Sequence, residues 1–125
     1  MIVLVDSDIL IEVSRGRNSL IVAQWTDLAN SGSPVLYSPI SVAELWAGAR
    51  PNEHAALHNL FGALTCCPIN EDIGYQAGLY IQKYRASHAV DIADALIAAT
   101  AVANSAHLWT RNRKHYPMKE VTFFE

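Results

Sequence analysis

The chain opens on Ile2-Val3-Leu4-Val5, an apolar run rich in β-branched residues that is halted at once by Asp6. A run that is apolar at every position, rather than at alternate ones, is the pattern of a strand buried on both faces. Strands of that kind belong to parallel sheets covered by helices on each side. A carboxylate placed directly after such a strand sits at its carboxyl end, the edge at which open α/β sheets bind ligands.

The rest of the chain continues the alternation. Residues 7–13 place Ile9, Leu10 and Val13 at helical spacing before Arg15-Gly16-Arg17-Asn18 interrupts. A second helical pattern starts at Ser19, carries Leu20, Ile21, Ala23, Trp25 and Leu28, and closes at Asn30-Ser31-Gly32-Ser33-Pro34. Val35–Tyr37 reads as strand two, 41–49 as a helix and, after a break at Arg50-Pro51, 53–64 as another, with Leu57, Leu60, Phe61 and Leu64 on one stripe. Residues 65–69 form strand three. A helix over 71–84 is weakened by Gly74 and Gly78. Residues 92–103 are almost wholly apolar and predict the most buried helix, and 108–110 and 121–124 supply the last two strands. The expected fold is α/β: a single Rossmann-like domain over residues 1–125, with a mainly parallel central sheet of about five strands flanked by helices.

Composition agrees with one such domain, since 51% apolar content in 125 residues is ample for a continuous core. Nine Lys plus Arg stand against twelve Asp plus Glu, which disfavours a generally basic, nucleic-acid-coating protein. A local basic strip remains available from Arg15, Arg17, Arg50, Lys83, Arg85, Arg111, Arg113 and Lys114. Cys66 and Cys67 are adjacent in a strand-like run, where neither a disulfide nor a zinc site is easily built, and both are expected to be buried and reduced. No stretch approaches the roughly 20 apolar residues of a membrane helix, and the first run is too short for a signal-peptide core. A soluble, cytoplasmic protein without a membrane partner is expected.

Three carboxylates mark the same edge of this sheet. Asp6 ends strand one, Glu44 is expected in the first turn of the helix after strand two, and Asp94 in the first turn of the helix before strand four. Helices that leave a parallel sheet and helices that return to it begin at one edge, so the three should converge. Asn112, two residues past strand four, brings an amide to the same place. Each acid alone also reads as helix punctuation. Ser41-Val42-Ala43-Glu44 matches a capping box, Asp91 is a cap for the helix of Asp94, and Asp6 for the first helix. Together, however, like charges in a partly desolvated site raise one another's pKa. A hard cation such as Mg²⁺ or Mn²⁺ relieves that repulsion and suits phosphodiester hydrolysis. Without a cation, Asp6→Asn or Asp94→Asn should stabilise the fold.

Three motifs carry a family resemblance: Val5-Asp6-Ser7 with Ile9-Leu10; Ala43-Glu44-Leu45-Trp46-Ala47-Gly48; and Asp94-Ala95-Leu96-Ile97-Ala98-Ala99-Thr100-Ala101, followed by Thr110-Arg111-Asn112-Arg113-Lys114-His115-Tyr116. In order and spacing they resemble the PIN-domain ribonucleases, specifically the VapC-type toxins of toxin-antitoxin pairs. The resemblance implies a Mg²⁺- or Mn²⁺-dependent endoribonuclease that leaves 5′-phosphate and 3′-hydroxyl ends. Its catalytic and metal-binding acids would be Asp6, Glu44 and Asp94, with Asn112 as the fourth catalytic corner. Many relatives carry an acid near that corner, so the neutral amide implies one firm metal site and a weaker second. The resemblance also implies a VapB-type antitoxin whose C-terminal segment fills a groove, a homodimer, and a toxin-antitoxin hetero-oligomer.

Around the acids, Ser7, Thr110, Arg111 and Arg113 are the candidates for binding RNA, the arginines by charge-assisted bonds to phosphate. Asp8 and Asp91 read first as caps or exposed acids, and His115 as a loop residue beside the site. His54 and His58 have the spacing of a helical metal pair but lack a third ligand. Trp46, Leu20, Leu45 and Leu57 suit a peptide groove, although ordinary core packing accounts for most of them. Two other readings compete. Asp6-Ser7-Asp8 mimics the paired aspartates of haloacid-dehalogenase-like phosphohydrolases, though without their polar turn or later lysine motif. An inactive PIN-like or receiver-like module would bind a partner without cleaving anything.

Overall fold

A computed structural model describes all 125 residues. Its order is β1 (Val3–Val5), α1 (Ser7–Arg15), α2 (Ser19–Asn30), β2 (Val35–Tyr37), α3 (Pro39–Ala47), α4 (His54–Gly62), β3 (Thr65–Cys66), α5 (Glu71–His88), α6 (Ile92–Ala103), β4 (His107–Trp109) and β5 (Thr122–Phe123), with 3₁₀ turns at Pro51–Glu53 and Arg113–His115. Local signals start most of the helices. Asp6, Asn18, Ser38, Asn70 and Asp91 each accept a backbone N–H from the first turn that follows, satisfying donors that a helix leaves free. Gly16, at φ 65°, ends α1 in the left-handed conformation that glycine adopts without strain.

All five strands are parallel, in the order β3-β2-β1-β4-β5. The chain winds outward from β1 through β2 to β3, then crosses to the other side of β1 for β4 and β5. The reversal falls between β1 and β4, and in doubly wound sheets such a switch opens a crevice beyond the carboxyl ends of the two strands. Alternate residues of the central strands serve opposite cores, as the two-residue repeat of a strand requires. Leu4 and Leu108 pack with α5 and α6, whereas Val3, Val5 and Trp109 pack with α1, α2, α3 and α4. The expected helix over residues 92–103 is the most deeply buried one, with Ala95 and every residue from Ile97 to Ala101 inside. No helix is long and apolar enough to cross a membrane.

The structure departs from the sequence expectations at several ends. Residues 41–49 do not begin a helix, because Ser38 caps it and Pro39 takes the first position, where a missing N–H costs nothing. The capping box expected at Ser41 and Glu44 is therefore not formed. Helix α5 runs four residues past Tyr84, since Gly74 and Gly78 face open space while Ile73, Ala77 and Tyr80 bury against α6. Packing of that stripe outweighs the helix cost of two glycines. Strand β4 starts and stops one residue early, with His107 N–H on the Ile2 carbonyl at 2.7 Å and Thr110 already out of the ladder. Cys66 is exposed on the edge strand β3, and only Cys67 is buried; both are free thiols.

Leu108, fully buried in a central strand, tests this core. Leu108→Ala should cost ~2–5 kcal/mol, read as a lower denaturant midpoint with an unchanged slope in a chemical unfolding curve. A loss below about 1 kcal/mol would mean that the surrounding side chains close the gap.

Candidate functional site

Asp6 leaves β1 at the switch point, and its backbone N–H extends the sheet by bonding to the Trp109 carbonyl at 2.9 Å. The residue is 8% exposed, and its carboxylate is held by three donors. Ser7 N–H donates to Oδ1 at 2.8 Å, while the hydroxyls of Thr110 and Tyr116 donate to Oδ2 at 2.9 and 2.7 Å. Tyr116 closes the last of the three motifs, but the sequence assigned it no role. It follows the 3₁₀ turn Arg113–His115, which leads the chain back beneath the site, and no local periodicity announces that return.

Asp94 stands in the first turn of α6, with its backbone N–H on the Asp91 side chain at 2.9 Å. Asp91 thus caps the helix as expected, and it lines the same cleft as Asp94. Burial, the Asp91 carboxylate and the Asp6 carboxylate together raise the Asp94 carboxyl to about 6, against a weaker opposing pull from His115. The His115 Nδ1 lies 3.8 Å from Asp94 Oδ2.

Glu44 occupies the sixth position of α3, not the first turn, and is exposed. It reaches the cleft through Ser7, whose hydroxyl donates to Glu44 Oε1 at 2.7 Å and lies 2.8 Å from the fully buried Ser41 hydroxyl. A carboxylate only accepts, so the Ser7 proton goes to Glu44 and Ser41 donates to Ser7. The Ser41 hydroxyl, expected as a cap, instead begins a relay that orients Glu44. Ser38-Pro39 was the signal that would have set this register.

The loop after β4 closes the site from the other side. Asn112 N–H donates to Thr110 Oγ1 at 3.1 Å, and its side-chain amide donates to Asp8 Oδ2 at 3.0 Å, which Arg111 N–H also reaches at 3.0 Å. Asp8 therefore ties the loop to α1 and is neither a cap nor free in solvent. Burial and the Asp6 charge raise its carboxyl above the usual range, and its Oδ1 is buried without a partner. The arginine side chains point elsewhere. Arg111 pairs with Glu12 at 3.3 Å, and Arg113 pairs with Glu125 at 3.2 Å and lies over the Phe123 ring.

Five carboxylates, from Asp6, Asp8, Glu44, Asp91 and Asp94, thus line one cleft of about 240 Å³, with Ser7, Asn112 and His115 also on its wall. A slightly larger hollow of about 260 Å³ between Trp25, Leu28, Val35 and Leu64 has no titratable group and no chemistry to offer. The acidic cleft fits a hard cation: its donors are nearly all oxygen, one carboxylate oxygen is buried and unpaired, and burial with neighbouring negative charge raises one carboxyl to about 6. No three of these side chains are gathered closely enough to close around a single ion. A cation here would keep several waters, as Mg²⁺ does with one or two carboxylates. His54 and His58 lie away from this cleft, both against the Trp46 ring.

A parallel sheet of this order with acids converging at its switch point is a doubly wound α/β domain with a polar site at its edge. The PIN-domain family matches residues 3–121, and the chain belongs to that family. It is 38% identical over 116 residues to Ribonuclease VapC19 of Mycobacterium tuberculosis, covering 92% of each chain. It is 37% identical over 119 residues to Ribonuclease VapC10 of the same organism, covering 94% of this chain and 88% of that one. Its fold matches a chain in the crystal structure of VapBC2 from Rickettsia felis bound to a DNA fragment from their promoter, with a TM-score of 0.82 and 20% identity over 99% of this chain and 98% of the other.

The geometry separates the two aspartates that the sequence treated alike. An acid whose folded value lies near 6 rather than 3.8 favours the unfolded state once it must ionise. That penalty is absent below about pH 4, grows through the interval and is complete above about pH 6. In chelator at pH 7.5, Asp94→Asn should gain about 1 kcal/mol after discounting for solvent, raising Tm by roughly 3–6 °C, and the gain should vanish near pH 4. Asp6→Asn should lower Tm, because an amide NH₂ would face donors. Thermal melts of both variants across this pH range check the two signs.

Proposed function

We propose that this chain is a divalent-metal-dependent endoribonuclease, the toxin of a toxin-antitoxin pair acting in the cytoplasm. The observation that carries the proposal is the convergence of Asp6 and Asp94, from opposite sides of the sheet crossover, on one acidic cleft. The 37–38% identity to proteins named Ribonuclease VapC19 and VapC10, over nearly the whole chain, supports the substrate.

In this reading Asp6 and Asp94 hold Mg²⁺ or Mn²⁺, while Glu44, steadied by Ser7, binds metal or orients the attacking water. A bound ion of this kind neutralises phosphate oxygens and makes water more acidic. Asn112 donates its amide to Asp8, which leaves its carbonyl oxygen as the neutral fourth corner of the catalytic set. Three charged corners and one neutral one favour a firm first ion and a weaker second. Ser7 and Thr110 have their hydroxyls committed to Glu44 and Asp6, so they serve substrate binding by holding the acids that meet it. Arg111 and Arg113 bind RNA phosphates by exchanging their surface partners, a cheap exchange because such pairs contribute only ~0.2–1 kcal/mol.

The likeness to a chain of VapBC2 from Rickettsia felis supports a VapB-type antitoxin as the neutralising partner in a hetero-oligomer, and this reading takes the toxin itself as a homodimer. A haloacid-dehalogenase-like phosphohydrolase fits less well, since no lysine lines the cleft and Asp8 is tied to the loop.

Purified protein with Mg²⁺ or Mn²⁺ should cut RNA to 5′-phosphate and 3′-hydroxyl ends, and chelator should stop it. Asp94→Asn should slow cleavage by on the order of 100-fold or more while remaining folded. Cyclic phosphate ends would overturn the metal mechanism. Metal-independent RNA cleavage, or an Asp94→Asn variant as active as the parent, would sink the assignment of this cleft.

A further inference from the structure

Before any cation arrives, the Asp6 carboxylate is already largely spoken for. Its Oδ2 accepts two hydroxyl protons, from Tyr116 at 2.7 Å and from Thr110 at 2.9 Å, and Oδ1 accepts one N–H from Ser7 at 2.8 Å. An ionised carboxylate offers about four acceptor positions, so a single one is left, on Oδ1. We infer that Tyr116 is a positioning residue for the metal-binding carboxylate: its hydroxyl pins Oδ2 and leaves Oδ1 as the oxygen presented to the cation. This inference rests on the proposed function and adds to it a residue outside the acidic cleft.

The packing explains why a tyrosine can do this. Tyr116 is 3% exposed and belongs to the same buried cluster as Leu108, Ile97, Met118 and Val121. Close-packed neighbours hold a ring in one rotamer, so the core sets where the hydroxyl lies, and solvent has no part in it. Thr110 adds the second donor to Oδ2, and its hydroxyl also accepts the Asn112 N–H. With Oδ2 occupied twice, Asp6 would have one oxygen free to hold a cation, and its carboxylate plane is set by these donors beforehand. Partners that orient a metal ligand in this way typically contribute 10–100-fold in affinity or activity.

Tyr116→Phe removes the hydroxyl and keeps the ring. Mn²⁺ binding, measured by electron paramagnetic resonance on the full chain without RNA, should weaken about tenfold. Circular dichroism should be unchanged. The cleavage rate should fall at limiting Mn²⁺ and return to within about threefold of the parent at saturating Mn²⁺, because mass action restores occupancy of the weakened site. Unchanged Mn²⁺ affinity in the folded variant overturns the inference. Loss of fold does so too, since Tyr116 would then be a structural residue only. Asp94→Asn measured alongside keeps the two readings apart. A silent Tyr116→Phe beside an inactive Asp94→Asn removes the role of Tyr116 alone, whereas full activity in both removes the assignment of the acidic cleft on which the inference rests.

Discussion

Pairing of β1 with β4 in parallel register sets Val5 opposite Trp109 and so brings Asp6 beside Thr110, 104 residues away in the chain. Everything at the site depends on that pairing. It places the reversal of strand order, and with it the crevice, between these two strands. The same edge then collects the start of α1 with Ser7 and Asp8, the first turn of α6 with Asp94, and the loop carrying Asn112 and His115. An acidic cleft results from covalently remote segments, each of which satisfies its own local rules.

Gathering acids is electrostatically costly, and the protein meets that cost differently at each one. Asp6 is the most buried and is stabilised by three donors. Asp94 has its carboxyl raised to about 6 by burial and by its neighbours. Glu44 is exposed and is oriented by the Ser41-Ser7 relay. Asp8 gives one oxygen to the loop and leaves the other buried and unpaired. Carboxylates in different environments suit different tasks, which is consistent with one aspartate holding a cation firmly while another accommodates its arrival.

The groups around the cleft show a similar division between fixed and exchangeable contacts. Hydroxyls of Ser7, Ser41, Thr110 and Tyr116 are buried and committed, so they hold geometry. Arg111 and Arg113 sit at the surface in pairs with Glu12 and Glu125, bonds that a phosphate can replace at little cost. Rigid acids inside and exchangeable cations outside form the arrangement expected of a site that must keep its geometry while admitting a polyanion.

Much of this was legible in the sequence alone. Short apolar runs marked the parallel strands, the first of them stopped by Asp6, and helical spacing marked the elements between them, because burial on two faces and amphipathic periodicity leave traces in consecutive residues. Convergence of Asp6 and Asp94 followed from topology, and Asp91 was identified as a cap from its neighbours alone. Only the tertiary structure decided the rest. Glu44 moved to the second turn of its helix because Ser38-Pro39 starts α3 earlier than the capping-box pattern suggested. Asp8 became a tie to the loop, and Tyr116 became a partner of Asp6, through contacts between segments more than one hundred residues apart. Local patterns specify which element a residue belongs to. The close packing of those elements decides which atoms meet, and hydrogen bonds extend only about 3 Å.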